Sequence, residues 1–266
     1  MTPTTWERLE QACTVESIMT PKADLLTWEK GTDRLPIEQV AEHRAFDLVP
    51  VTAGGRIEAV WSRAGGGEPE PLYPGWLVPA KTSIPELLDL LCESKRPGLL
   101  VSRETEVIGL VTPADLNKIA ARTFVHQLIG ELERALAAVL AREFEGKLDE
   151  MRSLLSAARR KALADQERKA RAGDVTIDVT QMLYLPDLLD IVSGSKALRT
   201  LLGYGSAKEA KQLCSGLVDL RMRTMHPLRS LLEYKHELPR VRSWVQRAQD
   251  TLKLLEKALE AVASRA

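Results

Sequence analysis

Cysteine is scarce in this chain: Cys13, Cys92 and Cys214 are odd in number and far apart. This excludes a disulfide framework and a thiolate metal cluster, and each is expected to be a small buried apolar residue. The four histidines, His43, His126, His226 and His236, show no metal-ligand spacing with carboxylates or cysteines, so no metal site is expected. No apolar run approaches the roughly 20 residues that span a bilayer, and no membrane partner is expected. Residues 1–16 are polar and carry Glu7, Glu10 and Glu16, unlike the basic start and apolar stretch of a signal peptide, which makes the cytoplasm the expected compartment. The run Gly65-Gly66-Gly67 has no following Lys-Ser/Thr, so it is no phosphate-binding P-loop.

Net charge is lacking as well, with 37 basic and 37 acidic side chains in 266 residues. The balance hides an asymmetry. Residues 1–125 carry 13 basic and 18 acidic side chains, and the remainder 24 and 19. Within the second part, residues 152–171 hold seven basic and two acidic residues, and residues 221–242 hold six and two. Such basic stretches attract polyanions, although charged faces of solvated helices have the same composition. The hydrophobic fraction of 44% and charged fraction of 28% are those of an ordinary globular protein, and the length suggests two domains.

The first half repeats at a period of about 50 residues. Val49-Pro50-Val51-Thr52 aligns with Leu99-Leu100-Val101-Ser102, and Ile57-Glu58-Ala59-Val60-Trp61-Ser62 with Val107-Ile108-Gly109-Leu110-Val111-Thr112. Each unit holds two β-rich runs separated by a turn and preceded by a helical pattern, over residues 36–43 and 84–93, with Ser83 as N-cap of the latter. Trp61 and Trp76 are expected to line the interior.

Carried by Val15-Glu16-Ser17-Ile18-Met19-Thr20-Pro21 and by residues 107–116, this half resembles a pair of CBS repeats, the Bateman module, over residues 14–122. The resemblance implies that Thr112 and Asp115 end the last strand and open a helix, the carboxylate holding a ribose and the hydroxyl a phosphate. It thus implies an adenine nucleotide (ATP, ADP, AMP or a related adenosyl ligand) as regulator. Chemically this is sound, since a carboxylate accepts both hydrogen bonds of a ribose diol. The local alternative is that Thr112 caps the helix from Pro113 and Asp115 stabilises its first turn. In the first repeat Ser62-Arg63-Ala64-Gly65 has no matching carboxylate, so at most one well-formed site is implied.

Beyond Leu116 the β-type alternation stops. Phe124, Leu128, Leu132, Leu136 and Leu140 recur at spacings of four and predict a long helix, followed by a helical tract over residues 143–171 that Gly173 stops. Further helices are expected over residues 182–191, from Ala207 after a Ser206 cap, and after Pro239, where Trp244 packs inward. Five or six helices result. Asp187 and Asp190, three apart, read as the solvated face of an amphipathic helix rather than as paired catalytic carboxylates.

In this helical half, Leu220-Arg221-Met222-Arg223-Thr224-Met225-His226-Pro227 combines a permanent cation with a group that titrates near neutral pH. In a regular helix, five residues separate the two side chains by about 140°. Pro227 disfavours helical geometry at His226, so the helix is expected to kink or end there. With Leu220, Arg221, His226 and Pro227, the segment resembles the signature of HEPN domains, over roughly residues 117–262. The resemblance implies metal-independent RNA cleavage in a homodimer: His226 acts on the ribose 2′-hydroxyl, Arg221 neutralises phosphoryl charge, and a 2′,3′-cyclic phosphate forms. Arg223 and Arg229 are candidate RNA contacts. Met222 departs from the pattern, because a polar residue usually follows the arginine. The alternative is structural, with Arg221 ion-paired to Asp219 or Glu233 and His226 ending a helix.

The expectation is therefore an α/β tandem CBS module over residues 1–122 and an all-α HEPN-like bundle over 123–266. Together they read as a nucleotide-regulated endoribonuclease with RNA as substrate, or else as a non-catalytic sensor whose bundle binds RNA or a protein.

Overall fold

The computed structural model describes residues 10–32, 46–63, 68–174, 178–226 and 228–263. The expected helix over residues 36–43, the glycine run 65–67 and Pro227 lie outside the described residues. The chain divides into two compact units, Met1–Phe124 with Ser230–Arg242, and Val125–Arg229 with Ser243–Ala266. The first unit thus includes residues 230–242.

Among the described residues of the first unit, eight strands form two four-stranded sheets, in orders β2-β3-β4-β5 and β1-β8-β7-β6. The strands are β1 (Thr20–Pro21), β2 (Trp28–Glu29), β3 (Leu48–Ala53), β4 (Arg56–Ser62), β5 (Glu70–Pro71), β6 (Leu77–Pro79), β7 (Leu99–Arg103) and β8 (Glu106–Val111). The repeat persists at the level of register. In the hairpin β3–β4, Val49 faces Trp61 and Val51 faces Ala59, with a bulge between Val51 and Thr52. In β7–β8, Leu99 faces Val111 and Val101 faces Gly109, with the bulge between Val101 and Ser102. A bulge changes which residues face inward, so its recurrence keeps the apolar positions of both hairpins equivalent. Leu48, Ile57 and Val60 of one sheet join Leu100 and Leu110 of the other around Trp76 in one core.

Helix α1 (Ile84–Ser94) starts where expected, at Ser83, whose hydroxyl accepts from Glu86 N while Glu86 returns a bond to Ser83 N. Its apolar positions Ile84, Leu87, Leu88 and Leu91 are buried. Gly109 has a steric role: a Cβ there would lie 2.6 Å from the Thr20 carbonyl oxygen, so only glycine lets β1 approach β8 this closely.

Among the described residues, seven α-helices follow: α2 (Ile119–Glu143), α3 (Leu148–Ser153), α4 (Ala157–Ala172), α5 (Leu185–Gly194), α6 (Lys196–Leu201), α7 (Ala207–Met225) and α8 (Leu238–Ala263). The expected count was exceeded because α3 and α6, six residues each, are too short to show periodicity. In the second unit Leu128, Leu132, Leu136 and Leu140 are fully buried, as their spacing of four requires. Each contributes about 1.5–3 kcal/mol on burial.

A tight contact fixes α7 against α8. A Cβ on Gly216 would fall 2.2 Å from Trp244 Nε1, and the Trp244 ring is itself buried. Replacing Gly216 by alanine is expected to lower stability by about 1–2 kcal/mol: overpacking of about 1–3 kcal/mol outweighs the gain in helix propensity of up to about 1 kcal/mol. Urea unfolding followed by far-UV circular dichroism reads the change directly.

Candidate functional site

The polar feature of the first unit is the turn after β8. Thr112 precedes a five-residue 3-10 turn, Pro113–Asn117, which Lys118 ends in extended geometry before α2 begins. The helix expected from Pro113 is instead this 3-10 turn, and the regular α-helix begins at Ile119. A single tight turn carries little aligned dipole, so charge stabilisation here must come from side chains. Asp115 is buried. Its Oδ2 accepts from Thr112 N at 2.7 Å and from Thr112 Oγ1 at 2.9 Å. Its Oδ1 pairs with Lys118 Nζ at 2.7 Å. Lys118 Nζ also reaches the carbonyls of Ile18 and Met19, which fastens the turn to the segment before β1.

The expected support of this turn by Asp115 is therefore present. Asp115 also lines a cavity of about 420 Å³ together with Thr112, Thr20, Asp24 and Asp47, opposite apolar Leu25, Leu48 and Leu110. That volume lies within the usual range of small-molecule sites, and so does the mixture of an apolar wall with a few convergent polar groups. A carboxylate has about four acceptor positions, and the three bonds above leave about one. Thr112 has a single O–H and donates it to Asp115. To meet a phosphate with that proton, the hydroxyl must turn away, and in doing so it frees Oδ2 for a second ribose hydroxyl.

The cavity has a wall that sequence reasoning did not find: residues 232–235, more than 100 positions further along the chain. Asn117 Nδ2 donates to Leu232 O at 2.8 Å, and Leu232 N donates to Asn117 Oδ1 at 2.9 Å. Lys235 Nζ pairs with Asp47. Of the acids that line the cavity, Asp47 pairs with Lys235 and Arg63, and Asp115 with Lys118.

In the second unit α7 ends at Met225, and His226 leaves it in extended geometry (φ −99°, ψ 110°), as expected for a residue before proline. Both His226 and Met225 are exposed. Arg221, in the last turns of the helix, donates through Nε to Glu133 Oε1 at 2.7 Å. The ion pair expected with Asp219 or Glu233 is thus made with Glu133 of α2. The spacing rules see only local partners, whereas this one comes from a different helix. Arg223 lies over the Trp244 ring, 5.7 Å from its centroid, and the Thr224 hydroxyl donates to the carbonyls of Leu220 and Arg221. Arg229 is exposed.

Much of the basic character of residues 152–171 is used internally. Arg152 pairs with Glu167, Arg159 with Asp187 and Arg168 with Asp165, while Arg160 donates to the carbonyls of Ser153 and Leu155. Paired cations contribute little to a long-range field, so this tract attracts polyanions less than its composition suggests. Asp187 also corrects the solvated-face reading, because it is buried while Asp190 is exposed.

Burial pushes the Cys214 thiol up to about 11, so it is no nucleophile at neutral pH. Cys13 is buried like Cys214, whereas Cys92 is only partly covered. Among the described residues no group of three or more histidines, cysteines or carboxylates is placed to hold a metal ion, and no helix is long and apolar enough to cross a membrane.

No protein-family model matches the sequence, and no curated protein matches it either. Solved structures are similar to part of it. One is the CBS domain of a bacterial CNNM/CorC family Mg2+ transporter in complex with ATP, at 23% identity over 41% of this chain and 87% of that one, with a TM-score of 0.34. Another is CBSX2 in complex with AMP, at 19% identity over 41% and 94%, with a TM-score of 0.35. A third is a hemolysin-like protein containing a CBS domain from Oenococcus oeni PSU, at 12% identity over 41% and 90%, with a TM-score of 0.32.

Proposed function

We propose that the first unit binds an adenine nucleotide and that the protein is a nucleotide sensor. The observation that carries this reading is the 420 Å³ cavity with Thr112 and Asp115 in its wall, a carboxylate suited to a ribose beside a hydroxyl suited to a phosphate.

A thermal melt of the full chain tests the reading. AMP at about 100 times its Kd is expected to stabilise the protein by about 2.7 kcal/mol, a rise in Tm of roughly 5 °C or more. Asp115→Ala lowers the unliganded Tm, because the cap is lost, and is expected to abolish the AMP-induced rise. An equal rise in wild type and variant would remove Asp115 from the site.

A second reading concerns the helical unit: metal-independent RNA cleavage by Arg221 and His226, in a homodimer. It is favoured by the end of α7 at Met225, which releases His226 from the regular helix. Arg221 uses Nε on Glu133, and the guanidinium fork offers further N–H donors suited to a phosphate. Incubation of the full chain with mixed RNA, beside His226→Ala and Arg221→Ala, tests this reading, with Arg223 and Arg229 as the proposed RNA contacts.

A further inference from the structure

The geometry points to residues 231–235 as a latch on the nucleotide cavity, whose docking and the occupancy of the cavity form one linked equilibrium. The inference rests on the nucleotide reading above.

Three observations meet at this segment. First, its backbone is held by a side chain. The Asn117 amide makes the paired donor and acceptor bonds that a neighbouring strand would make, at 2.8 and 2.9 Å, to Leu232. The Leu231 and Leu232 side chains are buried, so the docked state also removes apolar surface from water. Second, Asn117 sits two residues after Asp115 on the same five-residue turn. A ligand that draws Thr112 and Asp115 into new hydrogen bonds therefore acts on the turn that presents the clamp. Third, the segment itself faces the ligand space. Residues 232–235 line the cavity, and Lys235 pairs across it with Asp47.

A ligand that touches both the turn and the segment binds the docked state more tightly than the undocked one. It must then shift the segment towards docking, by reciprocity.

Hydrogen exchange of the full chain read by mass spectrometry, with AMP as the probe, tests the linkage. In the wild type, saturating AMP is expected to slow exchange in peptides covering residues 230–237 by about tenfold or more. Asn117→Ala is expected to speed exchange there without ligand and to weaken AMP binding about tenfold, the loss of a pair of hydrogen bonds. Lys235→Ala, at an exposed position and harmless to folding, is expected to weaken AMP about threefold and to reduce the same protection. AMP that binds the wild type with no change at residues 230–237, or that binds Asn117→Ala and Lys235→Ala as tightly as the wild type, overturns the latch alone. AMP that fails to bind the wild type overturns the nucleotide reading, and the latch with it.

Discussion

Asp187→Ala is expected to cost about 3 kcal/mol of stability. The Asp187 carboxylate accepts from Arg159 Nε at 2.8 Å and from Tyr184 N at 2.9 Å, and it is buried. Arg159 also donates to the Met182 carbonyl at 2.8 Å and lies over the Tyr184 ring. Removing the carboxylate leaves a largely buried guanidinium without its counter-charge and an N-terminal amide of α5 without its cap, and such losses commonly total about 3–5 kcal/mol. The lower end applies because the Arg159 side chain keeps 18% of its surface exposed. Asp190→Ala, three positions away and exposed, is expected to change stability by less than about 0.5 kcal/mol. The double variant Arg159→Met with Asp187→Leu is expected to recover most of the loss, since apolar residues of similar volume often replace a buried pair at little cost. Urea midpoints for the three variants decide the matter. Equal losses for Asp187→Ala and Asp190→Ala would mean that the pair is screened by water in solution.

The contrast between Asp187 and Asp190 shows what the sequence could and could not reveal. Periodicity reports which face a residue occupies. It does not report that Arg159, on another helix, approaches that face, so the buried member of the pair looked like the exposed one. The same limit hid Glu133 as partner of Arg221. By contrast, the period of 50 residues and the two β-rich runs of each unit were legible in the first half, and the structure adds the bulges that recur after Val51 and Val101. Hairpin register depends on near neighbours in sequence, and alternation fixes it wherever one face is buried. The mutual hydrogen bonds of Thr112 and Asp115 were legible for a similar reason, the two being three residues apart on one turn. What sequence could not supply was the opposite wall of the cavity, because the Asn117–Leu232 clamp closes a loop of more than 100 residues.

His226→Ala is expected to lower any RNA cleavage by this protein at least 100-fold, and Arg221→Ala by about 100- to 1,000-fold. The first figure is what a positioned general base supplies, and the second what a fixed donor to developing phosphoryl charge supplies. Cleavage by this route leaves a 2′,3′-cyclic phosphate, and EDTA is expected not to slow it. Glu133→Gln separates the roles further. Glutamine keeps an oxygen for Arg221 Nε but removes the charge, so the arginine is held less firmly and is also less neutralised. A positioning role for Glu133 predicts a loss of about tenfold in kcat with little change in KM, whereas a simple masking of the arginine predicts a gain. Met222 is the residue that biases the outcome, because it offers no strong hydrogen bond with which to orient an imidazole. Met222→Asn is therefore expected to raise the rate if His226 is poorly oriented in the native chain. Cleavage that survives both His226→Ala and Arg221→Ala would leave the helical unit without a nuclease site. The nucleotide-sensing reading would then stand on the first unit by itself, since the Thr112 and Asp115 cavity owes nothing to the chemistry of His226.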